Sequence, residues 1–105
     1  MQTNETLIFV SSVSLYVSAS VEFNDILFRW DADDQSYSRY SSQNTARMYA
    51  KPGNYRITRW PYSPGPAIPG RYCLESNIKI HLPLNVERTL RFDGCEDGIS
   101  FEVIN

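Results

Sequence analysis

The chain carries one histidine, His81, and two cysteines, Cys73 and Cys95. Nucleophilic catalysis needs a base beside the nucleophile, and a transition-metal site needs three or four donors. One imidazole and two thiols supply little material for either. His81 stands between Ile80 and Leu82, with no carboxylate two residues away to orient it. It reads as a surface histidine. There is no Gly-x-Ser-x-Gly elbow, no glycine-rich phosphate loop and no His-Glu-x-x-His pair. Asp31, Asp33 and Asp34 resemble a fragment of a calcium loop, but the glycine and distant bidentate glutamate that complete one are missing. They read as a solvated turn, with calcium binding left open. Paired-carboxylate hydrolysis depends on a spacing in space rather than in sequence. A small hydrolase centred on His81 or the acidic turns is therefore the lowest-ranked reading. The expectation is a non-enzymatic protein with no cofactor.

The residue types better suited to function are those that make contacts. Arg59, Trp60, Pro61 and Tyr62 lead into a stiff loop, 61–70, that holds four of the six prolines, and Arg71 and Tyr72 follow it. Trp, Tyr and Arg dominate interface hot spots because they combine rigid area with polar tips. Eight of the ten basic residues are Arg, whose planar fork suits contact surfaces. The expected partner-binding set is Arg56, Arg59, Trp60, Tyr62, Arg71 and Tyr72. A protein partner is the first reading, as for an inhibitor, an immunity or effector protein, or a structural module. The alternative is a carbohydrate-binding module that uses Trp60, Tyr62 and Tyr72 as stacking planes. A second series, Tyr37, Tyr40 and Tyr49, lies among serines and Arg39, a composition found in adaptable contact surfaces.

Charge narrows the partner. The net charge is −2, with 10 basic and 12 acidic residues, which removes the usual argument for nucleic acid. No apolar run approaches the roughly 18 residues of a membrane-spanning helix. The start, Met1 to Glu5, lacks the basic and apolar regions of a signal peptide. The chain reads as cytoplasmic as written, or as extracellular or periplasmic if it is a mature form. Cys73 and Cys95 are read either as a disulfide or as two partly buried thiols.

The elements that must position these residues announce themselves by period two. From Val13 to Phe23 the odd positions are apolar and the even ones mostly polar, and Asn77–Leu84 repeats the pattern. Strands place alternate side chains on opposite faces, so each segment has one apolar face. Val13–Phe23 is expected as one strand, with Asn24-Asp25 turning tightly into Ile26–Phe28. Asn77–Leu84 and Glu87–Asp93 are expected to form a hairpin in which Leu84 faces Glu87. Tyr55–Trp60 is a strand; if Tyr55 and Ile57 face the core, Trp60 points outward beside Arg56. Leu90 and Phe92, then Ile99, Phe101 and Val103, continue the alternation. No window makes a convincing helix; the nearest is Ser42–Tyr49. At 105 residues this is one domain, 1–105. Seven to nine short strands argue for an antiparallel β-sandwich, with a small β-barrel as the alternative.

Tyr49-Ala50-Lys51-Pro52-Gly53-Asn54-Tyr55-Arg56-Ile57 resembles the Pro-Gly-x-Tyr hairpin of prealbumin-like, carboxypeptidase-regulatory-like β-sandwich modules. The resemblance covers nine residues. It implies a sandwich of that size with a hairpin at this turn, and nothing about function.

Overall fold

A computed structural model describes residues 1–62 and 65–105, excluding the side chains of residues 59–62. Its strands are β1 (Leu7–Leu15), β2 (Ala19–Asp31), β3 (Ser36–Asn44), β4 (Met48–Ala50), β5 (Gly53–Tyr62), β6 (Gly70–His81), β7 (Glu87–Asp93) and β8 (Ser100–Val103). All the strand pairs are antiparallel. They form two sheets that do not close into a barrel, so the sandwich reading holds and the barrel alternative falls.

The large sheet is built on the long pair β2 and β6. β3 and β4 share the outer edge of β2, and β7 and β8 share the outer edge of β6. It is thus four strand-widths across. The second sheet is a ribbon of only β1 and β5. The two pack face to face over a core in two parts. One joins Val13 and Leu15 of β1 to Ala19, Val21 and Phe23 of β2 and Ile80 of β6. The other gathers Leu27, Tyr72 and Val103, with Leu7, Phe9 and Phe101 against them. Fully burying such a side chain contributes about 1.5–3 kcal/mol.

Three local expectations are corrected. The alternation of Val13–Phe23 spans two strands: the chain bends at residues 16–18 and crosses from the ribbon to the large sheet. Leu15 and Ala19 are an even number apart and both reach the core, so the bend leaves no trace in the pattern. Conversely, Asn24-Asp25 is no turn. β2 runs straight through it, and Asp25 continues the inward series Val21, Phe23, Leu27 at 1% exposure. Burying a carboxylate is costly unless it is hydrogen-bonded, and Asp25 accepts a bond from the Ser76 hydroxyl on the facing strand. Finally, the Pro-Gly segment joins β4 to β5, which lie in different sheets, so it is a corner rather than a hairpin. The Tyr55 hydroxyl donates back to the Lys51 carbonyl and braces that corner.

The β6–β7 hairpin forms, but with His81 rather than Leu84 opposite Glu87. The three-residue shift lets Ile78 face Leu90, keeping the apolar positions of both strands on one side. The turn holds Leu84 and Asn85 at φ of 63° and 60°.

Both long strands change partner partway, and each break is sealed. On β2 the gap between β4 and β3 is filled by Thr45, whose N–H donates to the Phe23 carbonyl at 2.9 Å. Its hydroxyl accepts the Phe23 N–H at 3.0 Å. On β6 the gap between β7 and β8 is closed by a Cys73–Cys95 disulfide with Cα atoms 5.1 Å apart. The bridge reading of the cysteines thus holds. Beside it the Gly94 N–H donates to the Leu74 carbonyl at 2.8 Å. A Cβ on Gly94 would meet that oxygen at 2.9 Å, so the approach requires glycine.

Candidate functional site

The two sheets differ in width, and the site follows from that difference. Neighbouring strands lie about 4.8 Å apart, so a two-strand ribbon covers about half of a four-strand sheet. Both margins of the large sheet therefore keep an inward face that the ribbon does not fully cover. At one margin, Leu90 and Phe92 of β7 share the inner face with Ile78 and Ser76, yet are 51% and 45% exposed. At the other, Met48 of β4 stands opposite buried Val21 and is 44% exposed.

The β4 margin is concave. β5 passes above it, and the space between is a cleft of about 350 Å³ lined by Val13, Leu15, Val21, Met48, Ala50 and Ile57, with Tyr49, Tyr55, Arg56 and Thr58 completing the wall. The floor is the open side of the first core cluster. The wall is firm because the Tyr55–Lys51 bond fixes the corner entering β5. Arg56 is the single charged residue of the lining, and it is exposed. It sits on the outer face of the ribbon, in register with Ser12. Lys51, also exposed, precedes the same strand.

Of the expected partner-binding residues, Arg56, Arg71 and Tyr72 do not come together. Arg56 is at the rim of this cleft, on the ribbon. Arg71 is on the far sheet, where its guanidinium stands 5.5 Å from the Trp30 ring centroid and its Nε 3.6 Å from Glu102. Trp30 in turn meets Tyr37 edge to face at 5.1 Å. Tyr72 is a core residue at 0% exposure: its ring stacks near Phe101 and its hydroxyl donates to the Ile68 carbonyl at 2.6 Å. It cannot serve as a surface plane, because the even positions of β6 near its start face the ribbon. Burial also pushes the Tyr72 phenol above its ordinary pKa. The backbones of Arg59, Trp60 and Tyr62 belong to β5, while their side chains lie outside the described residues.

His81 has more company than its neighbours in sequence suggest. Across the outer face of the large sheet, its Nε2 stands 3.0 Å from Glu22 Oε1, and Nδ1 stands 3.7 Å from Glu87. The tautomer with hydrogen on Nε2 donates to Glu22 and leaves Nδ1 to accept from Arg47 Nη2 at 3.3 Å. The hydrogen bond from His81 holds the Glu22 carboxyl below its ordinary range. This is a paired surface network, and Ser20 of β2 stands opposite His81 in the strand register. Asp31 uses its carboxylate within its own turn, accepting the N–H of Asp33 at 2.9 Å. Among the described residues, no three His, Cys, Asp or Glu side chains stand together as a metal site would require.

Sequence reasoning missed Met48, Leu90 and Phe92. Alternation marked Leu90 and Phe92 as one apolar face, whereas Met48 fell in the Ser42–Tyr49 window, the nearest approach to a helix; all three face inward. What the pattern does not carry is whether anything lies over them.

No protein-family model matches this chain, and neither a curated protein nor a solved structure is detectably similar to it.

Proposed function

We propose that the protein is a non-enzymatic β-sandwich module that binds another protein, with the cleft between β4 and β5 as its contact site. The observation that supports this reading is an apolar, partly roofed hollow with Arg56 and Tyr49 in its lining. Apolar side chains of a partner gain by entering such a hollow, and Arg and Tyr at a rim supply area and direction. Affinity capture from the native source, followed by mass spectrometry, tests it when run beside the Arg56→Ala/Tyr49→Ala double variant. A specific partner should be retained by the parent chain and lost by the variant, with the thermal midpoint within about 2 °C. Equal retention by both would overturn this site.

A glycan-binding reading draws support from a different place. A hollow of about 470 Å³ on the outer face of the large sheet has Asn24, Asn44, Asn77, Glu22, Lys79, Thr45 and Thr89 in its lining, together with Phe23. Side-chain amides offer both donors and acceptors to hydroxyl groups. Glycan-array binding that disappears with Asn77→Ala would favour it, and a blank array would remove it.

A further inference from the structure

Deepening the protein-binding reading, on which it rests, we infer that the occupant of the cleft is an extended acidic segment that adds to the free edge of β5 as a third ribbon strand. The ribbon contains only β1 and β5, so β5 has a second edge with no strand on it among the described residues. That edge runs along the β4 margin of the large sheet, which the ribbon covers only in part. A strand laid about 4.8 Å beyond β5 would sit over β4, at the ordinary sheet separation of about 10 Å. It would complete the layer that the width mismatch leaves unfinished. Backbone hydrogen bonds supply affinity in this mode, and alternate side chains supply specificity.

The register of β5 says which side chains such a strand needs. Tyr55 and Ile57 pack against the core, so the strand's inward positions would flank them and project onto Met48 and Ala50. These positions call for aliphatic side chains. Its outward positions would flank Asn54, Arg56 and Thr58, all exposed. Arg56 has no ion-pair partner among the described residues, and Lys51 at the head of the strand is exposed as well. No acidic residue lines the cleft. Opposite charges directly across a strand pair stabilise it, while like charges oppose it. The complementary ligand therefore alternates aliphatic residues with Asp or Glu.

The test uses three capped seven-residue peptides with Val or Thr at inward positions and Glu, Ser or Lys at outward ones. Each is titrated into isotopically labelled protein and followed by amide shifts and hydrogen exchange. The Glu peptide should bind at least tenfold more tightly than the Lys peptide and slow exchange at amides within 54–58. Arg56→Glu should reverse that order, and N-methylating alternate peptide amides along one edge should abolish binding. Equal binding of the Glu and Lys peptides, or an order unchanged by Arg56→Glu, overturns the charge assignment. Shifts centred on Leu90 and Phe92, or no binding by any peptide at millimolar concentration, overturn strand addition at β5. Either failure leaves the broader reading standing if capture of a native partner still depends on Arg56 and Tyr49; if capture is also indifferent to them, both fail.

Discussion

The two margins of the large sheet arise from one cause and end up as different surfaces. Both face inward where a two-strand ribbon gives no full cover. At the β7 margin, Leu90 and Phe92 lie on a seven-residue strand whose first six residues are all exposed. The loop beyond it is pinned to β6 by the disulfide. At the β4 margin only three residues form the strand, but β5 roofs it, the first core cluster floors it and Arg56 lies in its lining. Two apolar side chains stand about half-exposed at β7, yet the partly roofed hollow is at β4. A roofed hollow lets a ligand be surrounded and lets a charge choose among ligands, whereas an open strip does neither.

The largest effect that bears on this contrast comes from the core shared by both sheets. Tyr72→Ala should destabilise the fold by about 3–5 kcal/mol, as for other large-to-small changes at fully buried aromatics. Chemical denaturation measures it, and a loss below about 1 kcal/mol would mean that Tyr72 is not an anchor.

Next comes the pin on the β7 side. Cys95→Ser together with Cys73→Ser should lower stability by about 2–4 kcal/mol, since the bridge closes a loop of 22 residues. Hydrogen exchange should speed up most at β7 and β8 and least at β4 and β5. Uniform acceleration would erase the distinction between the margins.

Substitutions at the margins should be smaller still. Leu90→Thr and Met48→Thr should each change stability by less than about 1 kcal/mol, because both side chains are already near half-exposed. Only the Met48 change should weaken ligand binding at the cleft, which a titration against the Glu peptide reads directly.

The smallest effect is a pH dependence. The Glu22 carboxyl is held below its ordinary value, so its contribution is present above the unfolded pKa of about 4.3. It is lost as pH falls through the lowered folded value. Glu22→Gln should flatten the acid limb of the stability curve slightly, leaving peptide binding near pH 7 unchanged. An acid limb identical to that of the parent would assign no role to the His81–Glu22 pair.

Much of the fold was legible in the chain, for a definite reason. Strand side chains alternate with period two, so Val13, Leu15, Ala19, Val21 and Phe23 identified themselves as inward before any partner was known. The same period hid the boundaries. A bend at residues 16–18 that preserves parity looks like continuous strand, and a buried Asp25 looks like a turn. The hairpin between β6 and β7 was readable, but its register waited on a turn that places Leu84 and Asn85 in left-handed conformations.

The candidate site was legible only in part. Arg56 was singled out by residue type, and it does lie at the cleft. Tyr72 was singled out for the same reason and is buried, because residue type does not report depth. Arg71 has the composition of a contact residue but stands on the opposite sheet, beside Trp30.

The amino-acid order by itself determined that each strand has an inward and an outward face, because that is a property of a single backbone. The partnering of strands was a tertiary matter. It placed four columns in one sheet and two in the other, and so left Met48, Leu90 and Phe92 facing inward without full cover. Whether an inward residue is covered depends on strands far away in the chain, and no local pattern carries that information.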